Sequence, residues 1–197
     1  TTDLVETVEK EIILNKKYGF DNTFLIQYDA LILNEYTDLL LRERDEHMEI
    51  GVWFEIAKPL VEKAGLKWRG REGFVWDWHV NPGFLMAYTQ DERKVLIDIV
   101  MEEFKRVFGS YPRSVGSWLI DSFSMEYMSE KYNIDAYCIC REQYGTDGYT
   151  LWGGYYNQAY YPSKKNMIIP AASKSNQINV PVFRMLGIDP IHAYDDI

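Results

Sequence analysis

Short apolar runs alternate with longer amphipathic segments along this chain, and that alternation limits the accessible folds more than any other feature. NTFLIQYDAL (22–31), MEIGVWFEI (48–56), SVGSWLID (114–121) and DAYCICRE (135–142) have the length and apolar content of buried strands. GFVWDWHV (73–80) reads as a further strand between the second and third of these, and NMIIPA (166–171) and VPVFRMLG (180–187) as later ones. Between them, residues 4–19, 34–47, 58–66, 89–109 and 124–133 carry apolar side chains at helical spacing. The segment 89–109 is the clearest helix: Thr89 can cap it, Glu92 follows three residues on, and Gly109 stops it. Strand–helix–strand order with strands buried on both faces implies a mostly parallel sheet. The expected fold is therefore α/β, a parallel-strand barrel of the seven-stranded (β/α) type or an incomplete version of one. It would form a single domain over 1–197, a piece of a longer protein whose remainder packs against it.

Composition removes several function classes. The formal net charge is −9, and no basic cluster exceeds RGR at 69–71, which argues against nucleic acid and anionic membrane surfaces as partners. No run of about 18 apolar residues is present to span a bilayer. Neither GxGxxG nor GxxxxGK[ST] follows the first strand, so the phosphate cradle of a nucleotide-binding sheet is missing. Cys138 and Cys140 would lie on one face of a strand, a poor geometry for a disulfide. They read as buried free thiols, which suits a reducing compartment such as the cytoplasm.

In parallel α/β folds, functional side chains gather at the C-terminal ends of strands. Here those ends offer Asp29, Glu55, Asp77 or His79, Asp121, and later Arg141 and Glu142. Converging carboxylates suit glycoside hydrolysis, in which one carboxyl protonates the leaving oxygen and another acts as nucleophile or base. We expect Asp121 to be nucleophile or base, with Glu55 or Asp29 as its acid partner, and no cofactor. The alternative is that Asp29 and Asp121 merely cap the helices that follow them. The stretch TDGYTLWGGYYNQAYYP (146–162) is too glycine-broken for a helix and dense in rings. Aromatic faces pack on the C–H faces of sugars, so a carbohydrate substrate is expected on Trp53, Trp78, Trp118, Tyr149 and Trp152, with Asp147 gripping hydroxyls. The competing possibility is that these rings only plug the barrel mouth.

The runs WRGREGFVWDWHVNPGF, FGSYPRSVGSWLID, GTDGYTLWGGYYNQAYYPS and VPVFRMLGIDP resemble an uncharacterised bacterial family found largely in gut anaerobes. That family is placed in the glycoside hydrolase/deacetylase superfamily of (β/α)7 barrels, and the resemblance runs from about residue 20 onward. The order of parts is similar to that of polysaccharide deacetylases. It implies, as a second possibility, a metal-dependent deacetylase with zinc or another divalent ion on Asp29, His79 and Asp121. The chain departs from that pattern: Asp29 stands alone where deacetylases pair two aspartates, and His79 lacks a second histidine about four residues away. A non-catalytic carbohydrate-binding barrel is the third possibility.

Overall fold

The structure, a computed structural model, describes residues 2–77, 83–140, 142–143, 149–150 and 157–185. Helix α1 (Thr2–Tyr18) stops at Gly19, whose φ of +66° costs a glycine little. Strand β1 (Asn22–Ile26), the short helix α2 (Tyr28–Leu31), α3 (Asn34–Glu43), β2 (Met48–Trp53) and α4 (Lys58–Lys63) follow. Next come α5 (Gln90–Phe108), β3 (Ser114–Ser117), α6 (Ser122–Tyr132) and β4 (Ala136–Cys140). The capping box anticipated at α5 is present in full, with Glu92 N donating to Thr89 Oγ1 and Thr89 N donating to Glu92 Oε2. Beyond β4 lie the short pair β5 (Glu142–Gln143) and β6 (Tyr149–Thr150), then β7 (Ala159–Tyr160), β8 (Pro162–Ser163), β9 (Asn166–Pro170) and β10 (Val182–Met185).

The main sheet runs in the order β1-β2-β3-β4-β10-β7, with every pair parallel except β10–β7. The protein is thus an α/β fold on a mostly parallel sheet. Register places Ile26, Val52, Val115, Tyr137 and Val182 side by side in one row, each at most 6% exposed. Leu39 and Leu40 of α3, Leu60 and Val61 of α4, Leu96 to Phe104 of α5, and Met125 and Met128 of α6 belong to the same core. The opposite face differs. Its row of Trp53, Gly116, Cys138 and Phe183 is less covered, and Phe183 is 43% exposed.

Three expectations need correction. The segment 73–77 forms no strand: the chain turns at 72–73, with Gly73 at φ +82°, and bends at Val75. Asp29 does not end a strand, because β1 stops at Ile26 and Asp29 sits in the first turn of α2. NMIIPA forms β9, but β9 pairs antiparallel with β8 in a separate two-stranded sheet. Among the described residues the main sheet has six strands, with β1 and β7 at its edges, and no closed seven-stranded ring is formed.

Candidate functional site

The end of β2 builds the most distinctive constellation. The ladder continues one residue past the strand, where Phe54 N donates to Gly116 O at 2.7 Å. The chain then leaves β3, and Ile56 N donates instead to Gly83 O at 3.0 Å. Glu55 sits at this divergence and is only 6% exposed. Its Oε1 accepts from Trp53 Nε1 at 2.9 Å and its Oε2 from Trp76 Nε1 at 2.7 Å. A neutral indole N–H on each oxygen is a sound way to hold a carboxylate among rings, where desolvation without a donor would be costly.

Trp53 is held from two further sides. Trp118, just beyond β3, meets it edge to face, with centroids 5.2 Å apart and planes at 87°. Beneath it lies Gly116, where a Cβ would stand 3.0 Å from the ring and would also collide with Leu25. The glycine in β3 is therefore the seat of the indole. Trp53, Trp76 and Trp118 all keep part of their surface in solvent.

Trp76 belongs to an excursion between α4 and α5 that is tied down at many points. Lys58 N donates to Val75 O at 2.7 Å. Asp77 is 1% exposed, and its Oδ2 accepts from Arg71 N at 2.9 Å and Arg71 Nε at 3.1 Å. Gly83 approaches the Asp77 carbonyl so closely that a Cβ would stand 2.7 Å from that oxygen. The two flanks of residues 78–82 thus meet beside Ile56, next in sequence to Glu55. Trp78 and His79 themselves lie outside the described residues, as do Asp147 and Trp152. The backbone of Tyr149 is in β6, opposite Gln143; its side chain lies outside the described ones.

Asp121 has a different setting. It is the N-cap of α6, where its Oδ1 accepts from Ser124 N at 3.0 Å and its Oδ2 from Ser124 Oγ at 2.6 Å. Arg93 Nη1 donates to the same Oδ1 at 2.9 Å, while Arg93 Nε and Nη2 reach the carbonyls of Tyr88 and Met86 at 2.7 and 3.0 Å. Asp29 is elsewhere again. Its Oδ1 accepts from Ala30 N at 2.9 Å, and it borders a cavity of about 340 Å³ with Val8, Phe24, Tyr36 and Leu40. None of the three tryptophans lines that cavity. The structure brings Trp53, Glu55 and Trp118 together, and no described hydrogen bond joins Asp29, Glu55 and Asp121.

For metal binding, Asp29 and Asp121 share no described partner, and His79, the third residue of the expected triad, lies outside the described residues. No group of three metal-binding side chains occurs among the described residues. Cys138 and Cys140 are both free, and burial pushes the Cys138 thiol up, which disfavours the thiolate. Sequence reasoning did not find Arg93. Its place in the first turn of a polar helix face carries no local sign that it meets the end of β3.

The fold is a mostly parallel α/β sheet, and at the end of β2 a carboxylate is framed by tryptophans. The fold is shared with the crystal structure of a proposed glycoside hydrolase/deacetylase from Parabacteroides distasonis. The two superpose with a TM-score of 0.64 over 96% of this chain at 17% identity, and this chain spans 39% of that one. The chain belongs to the DUF3863 family, a domain of unknown function with a solved structure, which matches residues 12–196. No curated protein sequence matches it. No helix among the described residues is long and apolar enough to cross a membrane.

Proposed function

We propose that this chain forms part of a (β/α) barrel that acts as a carbohydrate-active hydrolase, with Glu55 as its acid–base group. The sheet supports the barrel reading: β1 to β4 are adjacent in sequence order, and the row centred on Val52 and Val115 is packed under helices. In a barrel the opposite row would line the interior, which places Trp53 and Glu55 at the mouth formed by the strand ends.

The observation that carries the reading is the buried Glu55 carboxylate between two indole N–H donors, with Trp53 standing perpendicular to Trp118. Perpendicular rings make a corner in which a sugar ring can lie on one face and abut the other. A carboxyl at that corner can reach a glycosidic oxygen and exchange a proton with it. Trp53 and Trp118 supply the platform, and Trp78, Tyr149, Trp152 and Asp147 would extend it. Asp121, expected from sequence as the nucleophile, has both oxygens engaged by Ser124 and Arg93, so we assign it to positioning. The water or nucleophile-activating carboxylate then falls to Asp29 or to the remainder of the polypeptide.

The same occupied oxygens favour one rival, a sugar-binding barrel without turnover. Hydrolysis of a panel of polysaccharides by wild type and Glu55→Gln separates the two. The hydrolase reading expects a loss of about 100-fold to 10,000-fold in rate with binding retained. Retained binding with no turnover by wild type leaves a binding module. Release of acetate that depends on added zinc would instead support the deacetylase.

A further inference from the structure

We infer that a cavity at the N-terminal end of the sheet is a second ligand site, for a small zwitterion with an apolar body, of the α-amino acid class. The site goes beyond the sugar reading above and does not depend on it.

The cavity measures about 480 Å³, within the range of small-molecule sites. Residues entering β1, β2 and β3 line it, together with Phe104 and Phe108 from the last turns of α5. The three strands are parallel, and Glu55 follows the far end of β2, so the cavity and the tryptophan corner lie at opposite ends of the same strands.

The buried part of the lining is apolar. Met48, Ile50, Phe104 and Phe108 are each at most 9% exposed, and the two phenylalanine rings have centroids 4.6 Å apart. An apolar ligand body laid against them is removed from water, which supplies affinity without regard to charge. Tyr111 adds a ring that is itself fastened: its Oη donates to Glu102 at 2.7 Å, and Lys105 Nζ lies 4.5 Å from its ring centre.

The rim carries both signs of charge. Asp21 precedes β1, and Glu46 and Glu49 stand on either side of the first residue of β2. His47 sits among these acids, with Nδ1 2.7 Å from Asp21 Oδ1 and Nε2 3.8 Å from Glu46 Oε1. Arg113 precedes β3, and its Nε donates to Asp135 Oδ2, which ties the guanidinium to the β3 side. Arg44, just after α3, is a second cation in the lining. A ligand with a single charge meets groups of its own sign here. A zwitterion sets an ammonium against the carboxylates and offers a carboxylate to a guanidinium fork. These groups are exposed, so each ion pair should change affinity a few-fold rather than by orders of magnitude.

The test is an NMR titration of the intact chain with three ligands that share one ring: phenylalanine, phenethylamine and phenylacetate. Phenylalanine is expected to bind about threefold to fivefold more tightly than either singly charged relative. The amide signals that move should be those of Met48, Ile50 and Arg113, with the Trp53 and Trp118 indoles unmoved. Arg113→Gln should weaken phenylalanine by a similar factor and leave phenethylamine unchanged. Equal binding of all three would reduce the cavity to an apolar crevice and overturn the inference. So would tightest binding by either singly charged ligand, shifts confined to the tryptophan corner, or no binding at all. None of these outcomes touches the sugar reading, and the comparison of ligands on wild type needs no variant to fold.

Discussion

Two carboxylates stand at adjacent strand ends and take their described hydrogen bonds from different kinds of donor. Glu55 follows β2 and is held by two neutral indole donors among rings, at 6% exposure. Asp121 follows β3 and is held by a guanidinium, a hydroxyl and a helix N-terminus. Asp121 is thus part of a rigid joint: it caps α6 and, through Arg93, ties α5 and the turn at 85–87 to the sheet. Glu55 takes one indole N–H on each oxygen, from tryptophans that keep part of their surface in solvent. Topological position alone did not separate these roles; the donors around each group did.

Breaking the joint should have the larger effect. Arg93→Ala removes the cation from a pair whose side chains are 16% and 13% exposed and leaves two carbonyls without their donor. We expect a loss of about 3 kcal/mol in urea unfolding. A loss under about 1 kcal/mol would mean that the joint is not the anchor described here.

Gly116→Ala probes the other side of the comparison without touching a charge. Its methyl group would press on Leu25 and on the Trp53 ring, and either β3 or the indole must move. The expected cost is about 2 kcal/mol, with a shift of the Trp53 and Trp118 signals in fluorescence or in the indole N–H region of the NMR spectrum. Unchanged tryptophan signals would show that Gly116 does not seat the ring.

Glu55→Gln keeps the shape and one acceptor while removing the charge. One indole N–H keeps a neutral acceptor while the other faces the new amide NH2 and loses its bond, which should cost about 1–2 kcal/mol, less than the loss at Arg93. The Trp53 and Trp76 indole protons should move in the same spectrum. If Glu55→Gln proved the more damaging of the two, the rigid joint would lie at β2 instead.

A third carboxylate sharpens the contrast at the low end. Asp98 of α5 accepts from Tyr127 Oη at 2.8 Å, Lys131 Nζ at 2.8 Å and Tyr132 Oη. Burial pulls its carboxyl upward, but the bonds from Lys131, Tyr132 and Tyr127 together outweigh that and hold it below the ordinary 3.8. A depressed folded value means that its contribution is fully present above 3.8 and is lost as pH falls through the folded value. Asp98→Asn should therefore lower stability in the neutral region, where that contribution is present, and flatten the acid limb so that variant and wild type converge at low pH. Since about a third of the side chain remains exposed, this effect should be the smallest of the four.

Much of the frame was legible from local pattern. Helix α5 was readable in detail because Thr89, Glu92 and Gly109 act through bonds within a few residues. Strands β1 to β4 were readable as apolar runs, although Asp29 was misplaced because YDAL turns into a helix rather than prolonging β1. The described part of GFVWDWHV, residues 73–77, was misread as a strand since its rings suggest burial in a sheet. Trp76 instead spends its N–H on Glu55, and Asp77 takes its bonds from Arg71. Glu55 was noticeable in sequence as a carboxylate in an apolar run, and Asp121 as a strand-end acid with a capping alternative.

The sequence by itself determined the parallel α/β character, because hydrophobic period and helix caps are local signals read within a dozen residues. It also determined the chain's acidity and the absence of a phosphate loop after β1. Only the tertiary structure decided which strand-end acid is clamped and which is framed by rings. Arg93 lies 28 residues before Asp121, Trp76 lies 21 residues after Glu55, and the Trp53 ring depends on a glycine in the next strand. Those pairings follow from sheet register and from how the excursion after β2 folds back, and no periodicity in the sequence encodes either one.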